Sequence, residues 1–262
     1  MKPMRRSRLK IALISILVIG LIAAGTVATL ALLKPHDKTS TTTSPEDISP
    51  KPSQTALTCT ANLSDDLLLG QKLMIAVYSA QLNAEQPIIA QYQLNGVILM
   101  DETDESAIAS LSTGMTIKPT IATDQEGGTV QRFTAEGKLP GAQDVASTMT
   151  APQAYSLYLK DSQYLKELGL TTNFAPVVDV ISRSPNPLPG RMYSSSPNSV
   201  SSYAGQYILA QKDAGITPVI KHFPGLGSAT GNTDNGSATT DPLSVLKTRD
   251  LLPYQALASL NP

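Results

Sequence analysis

Apolar and polar positions divide the chain into three stretches of different character. Ile11 to Leu33 is an uncharged, almost wholly apolar run of 23 residues. As a helix rising 1.5 Å per residue it would extend about 34 Å, enough to cross a bilayer core. From Pro35 to about Thr60 the chain is rich in Ser, Thr and Pro, as in Thr39-Ser40-Thr41-Thr42-Thr43-Ser44-Pro45, and has no apolar periodicity. It reads as an extended stalk. Beyond it, strand-like apolar runs recur at Leu73–Val77, Val97–Met100, Thr120–Thr123, Thr171–Ala175 and Pro218–Ile220, with helix-like stretches between them. That alternation predicts parallel βαβ units.

Local signals place the helices. Ser64-Asp65-Asp66 offers an N-cap to a short first helix, and Ala84–Gln93 reads as a second. A longer one is expected from about Pro152 to Leu168, closed by Gly169. Another runs from Pro197 to Ala214 with Gly215 just past its end, the usual placing of proline at the start and glycine after the finish. Asp241-Pro242 opens a further helix. The expected organisation is a basic flank at 1–10, a membrane segment at 11–33, a linker at 34–62 and one α/β domain at 63–262. A domain of this size holds a single core.

Charge adds orientation. Lys2, Arg5, Arg6, Arg8 and Lys10 precede the apolar run and only Lys34 closely follows it, which keeps the N-terminus cytoplasmic. The expected location is the cell membrane, single-pass, with the domain on the extracytoplasmic side. A cleavable signal peptide is the rival reading, but its apolar stretch is usually shorter and ends in a small-x-small site that Leu30-Ala31-Leu32-Leu33-Lys34 does not offer. From residue 35 onward, 14 basic residues face 21 acidic ones, an unfavourable balance for nucleic acid. One cysteine, Cys59, excludes an internal disulfide and reads as an exposed linker thiol, with lipid attachment a poorer fit. Two histidines, His36 and His222, leave no cluster with metal-ligand spacing, and no cofactor is expected.

Two parallel architectures compete, a doubly wound sheet and a (β/α)8 barrel. Asp124, Asp179 and Lys221-His222 each follow an apolar strand, where the mouth of a barrel collects its functional residues. A dinucleotide fingerprint is missing, because Gly127-Gly128 follows the acidic Asp124-Gln125-Glu126. We therefore expect a TIM-barrel type of fold, incomplete at about five βα units. Asp124 beside Arg132 reads either as an ion pair fixing the turn or as an acceptor for a sugar hydroxyl. His222, adjoining Lys221 at a strand end, is either a hydrogen-bonded structural residue or a ligand contact.

The segments Ala122-Thr123-Asp124-Gln125-Glu126-Gly127-Gly128, Asn173-Phe174-Ala175-Pro176-Val177-Val178-Asp179-Val180 and Lys221-His222-Phe223-Pro224-Gly225 resemble glycoside hydrolase family 3. Their order and spacing are similar to its β-N-acetylhexosaminidase branch over residues 64–262. The resemblance implies a barrel-type N-terminal domain, a cell-wall or chitin-type glycan ending in N-acetylglucosamine as partner, and Asp124, Arg132, Arg191, Lys221 and His222 as sugar-binding residues. In that branch a His of an Asp-Ser-His triplet is the general acid/base. Counting from Lys221, the triplet falls on Asn232-Thr233-Asp234, so Asp234 is the candidate acid/base, or else a residue capping a glycine-rich turn. The family's nucleophile is an aspartate on a later strand, beyond Asn261-Pro262, and Asp179 reads as a structural partner rather than its substitute. The chain alone is expected to be inactive or nearly so, either a fragment of a retaining glycosidase or an anchored glycan-binding pseudoenzyme. An open five-stranded wall also implies a partner chain completing the barrel.

Overall fold

The computed structural model describes residues 63–262; the basic flank, the apolar run at 11–33 and the linker at 34–62 lie outside the described residues. Among the described residues no helix is long and apolar enough to cross a membrane. Helix α1 (Asp65–Gly70) leads into β1 (Met74–Val77), α2 (Leu82–Gln91), β2 (Gly96–Leu99), α3 (Glu105–Ser110) and β3 (Thr120–Thr123). Two helices follow, α4 (Ala142–Thr148) and α5 (Ala151–Glu167), then β4 (Thr172–Asn173), α6 (Pro197–Asp213) and β5 (Thr217–Pro218). Short helices α7 (Leu243–Leu246) and α8 (Leu251–Leu257) close the order.

The five strands are parallel and lie side by side in sequence order. A doubly wound sheet reverses its order at a switch point, and this one does not, so it is wound as a segment of barrel wall. The register is continuous: Val77 pairs with Leu99, Leu99 with Thr123, Thr123 with Asn173 and Asn173 with Pro218. All five strands therefore end in one row, and the chain leaves each of them on the same side. Strands β4 and β5 are shorter than their apolar runs suggest. Beyond them the two segments stay paired only by an isolated parallel bridge between Val177 and Lys221.

The helices form where their caps predict. Ser64 accepts a hydrogen bond from the Leu67 N–H at 3.3 Å at the head of α1. Thr150 and Gln153 form a capping box at the start of α5, which stops the orphan N–H groups of the first turn from being left bare. Helix α6 starts on Pro197, with Ser196 as its cap, and ends before Gly215, whose φ of 76° belongs to the left-handed region. Helix α2 starts two residues earlier than expected, after a 3-10 turn at Ser79–Gln81. The helix opened by Asp241-Pro242 is only one turn long, and α8 follows as a separate piece.

Two apolar clusters hold the wall to its helices. One joins Val97, Leu99 and Ile121 of the strands to Ile89, Ile108 and Leu165 of the helices. The other lies between α5, α6 and the chain leaving β4, with Tyr158 stacked on Tyr207 at a centroid distance of 3.9 Å. Burying each large aliphatic side chain contributes about 1.5–3 kcal/mol. The outer edges of β1 and β5 have no strand partner among the described residues. Large apolar side chains stand exposed: Leu69, Leu73 and Tyr92 line a groove with Ile75 of β1, and Phe223 lies on the chain leaving β5.

Candidate functional site

Two larger cavities occur among the described residues, and chemistry separates them. One of about 780 Å³ is an apolar groove along α1, β1 and α2, on the unpaired edge. The other, of about 510 Å³, lies just beyond the row of strand ends and contains ionisable side chains. Its wall includes Met100, Asp124, Phe174 and Val219, which are the residues that directly follow β2, β3, β4 and β5. The continuous register thus brings four segments far apart in sequence to one mouth. We take this cavity as the candidate site.

Strand β3 delivers Asp124 and Glu126. In extended chain, residues two apart point to the same side, so both carboxylates face the cavity. The Lys221 Nζ, on the chain leaving β5, lies 2.6 Å from Asp124 Oδ1 and 2.6 Å from Glu126 Oε1. Arg191 makes a two-pronged pair with Glu126, its Nε and Nη2 donating at 2.8 Å each to the two carboxylate oxygens. Arg132 stands 3.5 Å from Asp124 Oδ2, and its Nε has no hydrogen-bond partner among the described residues. Burial acts to lower the Arg191 pKa, but the hydrogen bond and charge of Glu126, helped by Asp234 and Asp179, outweigh it and hold the guanidinium above its usual range.

His222 is fixed from behind. Its Nδ1 is 2.6 Å from Oδ2 of the fully buried Asp179, whose Oδ1 also accepts from the backbone N–H of His222 at 3.3 Å and of Leu226 at 2.7 Å. The Nε2 faces Arg191 Nη2 at 3.3 Å. A guanidinium only donates, so Nε2 accepts and the proton sits on Nδ1, donated to Asp179. The loop returning from His222 lies against the 178–180 segment because residue 227 is glycine. A Cβ there would run into the Val180 carbonyl. Asp179 is thus buried behind the site rather than exposed in it.

The turn after β3 is held by Gln125. Its Oε1 accepts from the Arg132 and Phe133 N–H groups at 3.0 and 3.1 Å, while its Nε2 donates to the Phe133 carbonyl at 2.8 Å and to Asp161 Oδ1 at 2.9 Å. Its own backbone pairs with the Asn173 side chain. The other Asp161 oxygen is shut off from solvent without a partner. Burial pushes the Asp161 carboxyl up to about 6, against a partial lowering by the Gln125 hydrogen bond. A raised carboxyl pKa means that the fold favours the protonated form. Stability from this group is therefore fully present below its unfolded pKa near 3.8 and is lost as pH rises through about 6. We expect Asp161→Asn to be more stable than the wild type by about 1–2 kcal/mol at pH 8, with the gain vanishing below about pH 4. Thermal melts of both chains across that range check it, and an equal gain at both ends would contradict it.

All six residues singled out from the sequence line the cavity: Asp124, Arg132, Arg191, Lys221, His222 and Asp234. Asp234 is exposed, in the short 3-10 turn Thr233–Asn235, where the Asn232 side chain accepts from its N–H at 3.0 Å. Its carboxylate is bonded to none of the site's cations. Glu126 is the residue that sequence reasoning missed, and the spacing of two from Asp124 in extended chain was the signal that could have found it. Among the described residues no cluster of three His, Cys, Asp or Glu is placed to hold a metal ion.

Comparison with known proteins places this domain in a family. The profile of the glycosyl hydrolase family 3 N terminal domain matches residues 66–261, and the chain belongs to that family. It is 36% identical over 202 residues to the beta-hexosaminidase LpqI of Mycobacterium tuberculosis, covering 74% of this chain and 52% of that protein. A beta-hexosaminidase of Xanthomonas axonopodis pv. citri is 31% identical over 201 residues, with 70% of this chain and 59% of that one covered. Among solved structures, a family 3 glycosyl hydrolase of Mycobacterium smegmatis superposes with a TM-score of 0.70 at 34% identity, over 77% of this chain and 63% of the other. A beta-N-acetylhexosaminidase of Beutenbergia cavernae gives 0.68 at 26%, over 76% and 65%. The chain thus spans between half and three fifths of the length of these two curated relatives.

Proposed function

We propose that the cavity at the strand ends binds the terminal N-acetylglucosamine of a β-linked glycan, of cell-wall or chitin type. The observation that carries this is the arrangement of donors and acceptors in one mouth. Asp124 presents carboxylate oxygens that accept from sugar hydroxyls, while Lys221, Arg132 and Arg191 present N–H groups that donate to hydroxyl oxygens. The N-acetyl group in the reading comes from the relatives, which are named hexosaminidases.

Hydrolysis asks for more than binding. Retaining cleavage uses a nucleophile and an acid/base on opposite sides of the bond, commonly two carboxyl groups. Asp124 and Glu126 are engaged by cations and Asp179 by His222, which leaves Asp234 as the cavity carboxyl without such a partner among the described residues. Asp234 serves as acid/base in this reading, and the described residues supply no second group. The chain alone is then a glycan-binding module. Cleavage of terminal β-N-acetylglucosamine requires further strands to complete the mouth. The exposed apolar side chains in the groove at β1 and on the chain leaving β5 support such a completion by a partner chain or by further sequence of the same protein.

Incubating the full chain with a chromogenic N-acetylglucosaminide tests this. Release of the chromophore at background, together with saturable binding of N-acetylglucosamine, is expected. Turnover by this chain alone would overturn the non-catalytic part, and its loss in Asp234→Asn would keep Asp234 as the acid/base. We also expect the detergent-solubilised full chain to self-associate through its open edges in size-exclusion chromatography, and a monomer melting cooperatively would contradict this.

Residues 11–33 anchor the protein with its domain outside the cytoplasm in the same reading, on the strength of the basic flank from Lys2 to Lys10. A topology reporter fused after Ser64 is expected to be active only outside the cytoplasm. Cytoplasmic activity there would contradict the orientation.

A further inference from the structure

The two strongest cations of the mouth converge on one carboxylate. Glu126 is buried, its side chain only 4% exposed, yet it takes two hydrogen bonds from Arg191 at 2.8 Å and an ion-pair contact from Lys221 at 2.6 Å. Lys221 has a second anchor in Asp124, but Arg191 has no other bonded carboxylate. Without Glu126, two positive heads would stand next to each other at the cavity, with Asp124 as the one directly paired carboxylate, shared between Lys221 and the more distant Arg132, and with Asp234 facing them unbonded. A buried charge of that kind attracts an anion into the space it faces.

We propose that Glu126 is a positioning and specificity-determining residue, holding Arg191 and Lys221 in place and, together with Asp124, balancing their charge, so that the cavity takes an uncharged sugar and rejects an anionic one. This rests on the reading of the cavity as a sugar site. Geometry and charge both belong to the carboxylate, and they separate in different variants. Glu126→Gln keeps the length of the side chain and one acceptor oxygen but removes the charge, so the cations are left unbalanced. Glu126→Asp keeps the charge but is one methylene shorter, so it no longer reaches Arg191 with both oxygens. A residue that merely stabilised the turn would lower the melting temperature in either variant without altering which ligand enters.

The test uses the full chain, wild type, E126Q and E126D, titrated with N-acetylglucosamine and with sodium sulfate at an ionic strength kept constant with chloride. The wild type is expected to bind the sugar and to be indifferent to sulfate. E126Q should lose sugar affinity on the order of tenfold, the scale of one charge-assisted hydrogen bond, and should acquire sulfate binding that competes with the sugar. E126D should lose sugar affinity while still excluding sulfate. Sugar affinity unchanged in both variants, or sulfate binding equal in wild type and E126Q, overturns the proposal. Where E126Q does not fold, E126D decides, and wild-type sugar affinity in it overturns the positioning role. A wild type that binds neither ligand contradicts the sugar reading, and sulfate binding gained by E126Q would still support the charge-cancelling role.

Discussion

Lys221→Ala is expected to lower stability by about 3 kcal/mol and to abolish sugar binding in the same step. The Lys221 ammonium bridges Asp124 and Glu126, and its side chain is only 16% exposed. Removing it leaves two carboxylates of like charge facing one partly buried space, with Arg132 3.5 Å away on one side and Arg191 on the other. Breaking a buried pair in this way costs about 3–5 kcal/mol, and we take the lower end because the mouth is open to water. A loss of about 3 kcal/mol corresponds to a fall of roughly 6–12 °C in melting temperature for a domain of this size. Removing the opposing charge should restore part of it, so Lys221→Ala combined with Glu126→Gln is expected to be more stable than Lys221→Ala alone. Thermal melts of the three chains read this directly. A double variant less stable than the single one would contradict a charge origin.

Asp179→Ala is the second large effect, and it acts from behind the site. Three donors end on this fully buried carboxylate, namely the His222 ring, the His222 backbone N–H and the Leu226 backbone N–H. Each donor left bare in a buried setting costs about 1–3 kcal/mol, so a total of about 3 kcal/mol or more is expected. The consequence for the site is specific. With Asp179 gone, only the 3.3 Å Arg191 contact at Nε2 still favours the Nδ1–H form, and the ring gains freedom to take the other tautomer or to turn away from Arg191. Nitrogen NMR of the His222 ring is expected to report the Nδ1–H form in the wild type and a mixture in the variant. The Nδ1–H form persisting in Asp179→Ala would show that Arg191 alone sets the tautomer.

Much of this fold can be read from the chain because its periodic elements are separated by strong local signals. The capping box at Thr150, Pro197 at the head of α6 and Gly215 past its end fix the long helices, and the apolar runs give five strands in a parallel sheet. The ends of β4 and β5 are less legible, since Thr171–Ala175 and Pro218–Ile220 remain apolar beyond the last regularly paired residues, Asn173 and Pro218. The site divides in the same way. Asp124 and Lys221-His222 stand out because charged residues directly follow apolar strands, and their convergence follows from the register. The partner of each one does not. Asp124 was paired with Arg132 in the sequence, but Lys221 lies closer and does most of the holding. Lys221 is 97 residues away along the chain, and only the folded register brings the two together. Glu126 was hidden for the same reason, as a carboxylate whose cations lie 65 and 95 positions further on.

Titrating the full chain with N-acetylglucosamine, as wild type and as Asp124→Ala and His222→Ala, tests the central claim most directly. Both residues face the cavity from neighbouring segments, and neither is the main prop of the core. Saturable binding by the wild type that is lost, or weakened at least tenfold, in both variants is the expected result. Binding of the sugar with unchanged affinity in both variants would place its site elsewhere on the protein and contradict the reading of this mouth.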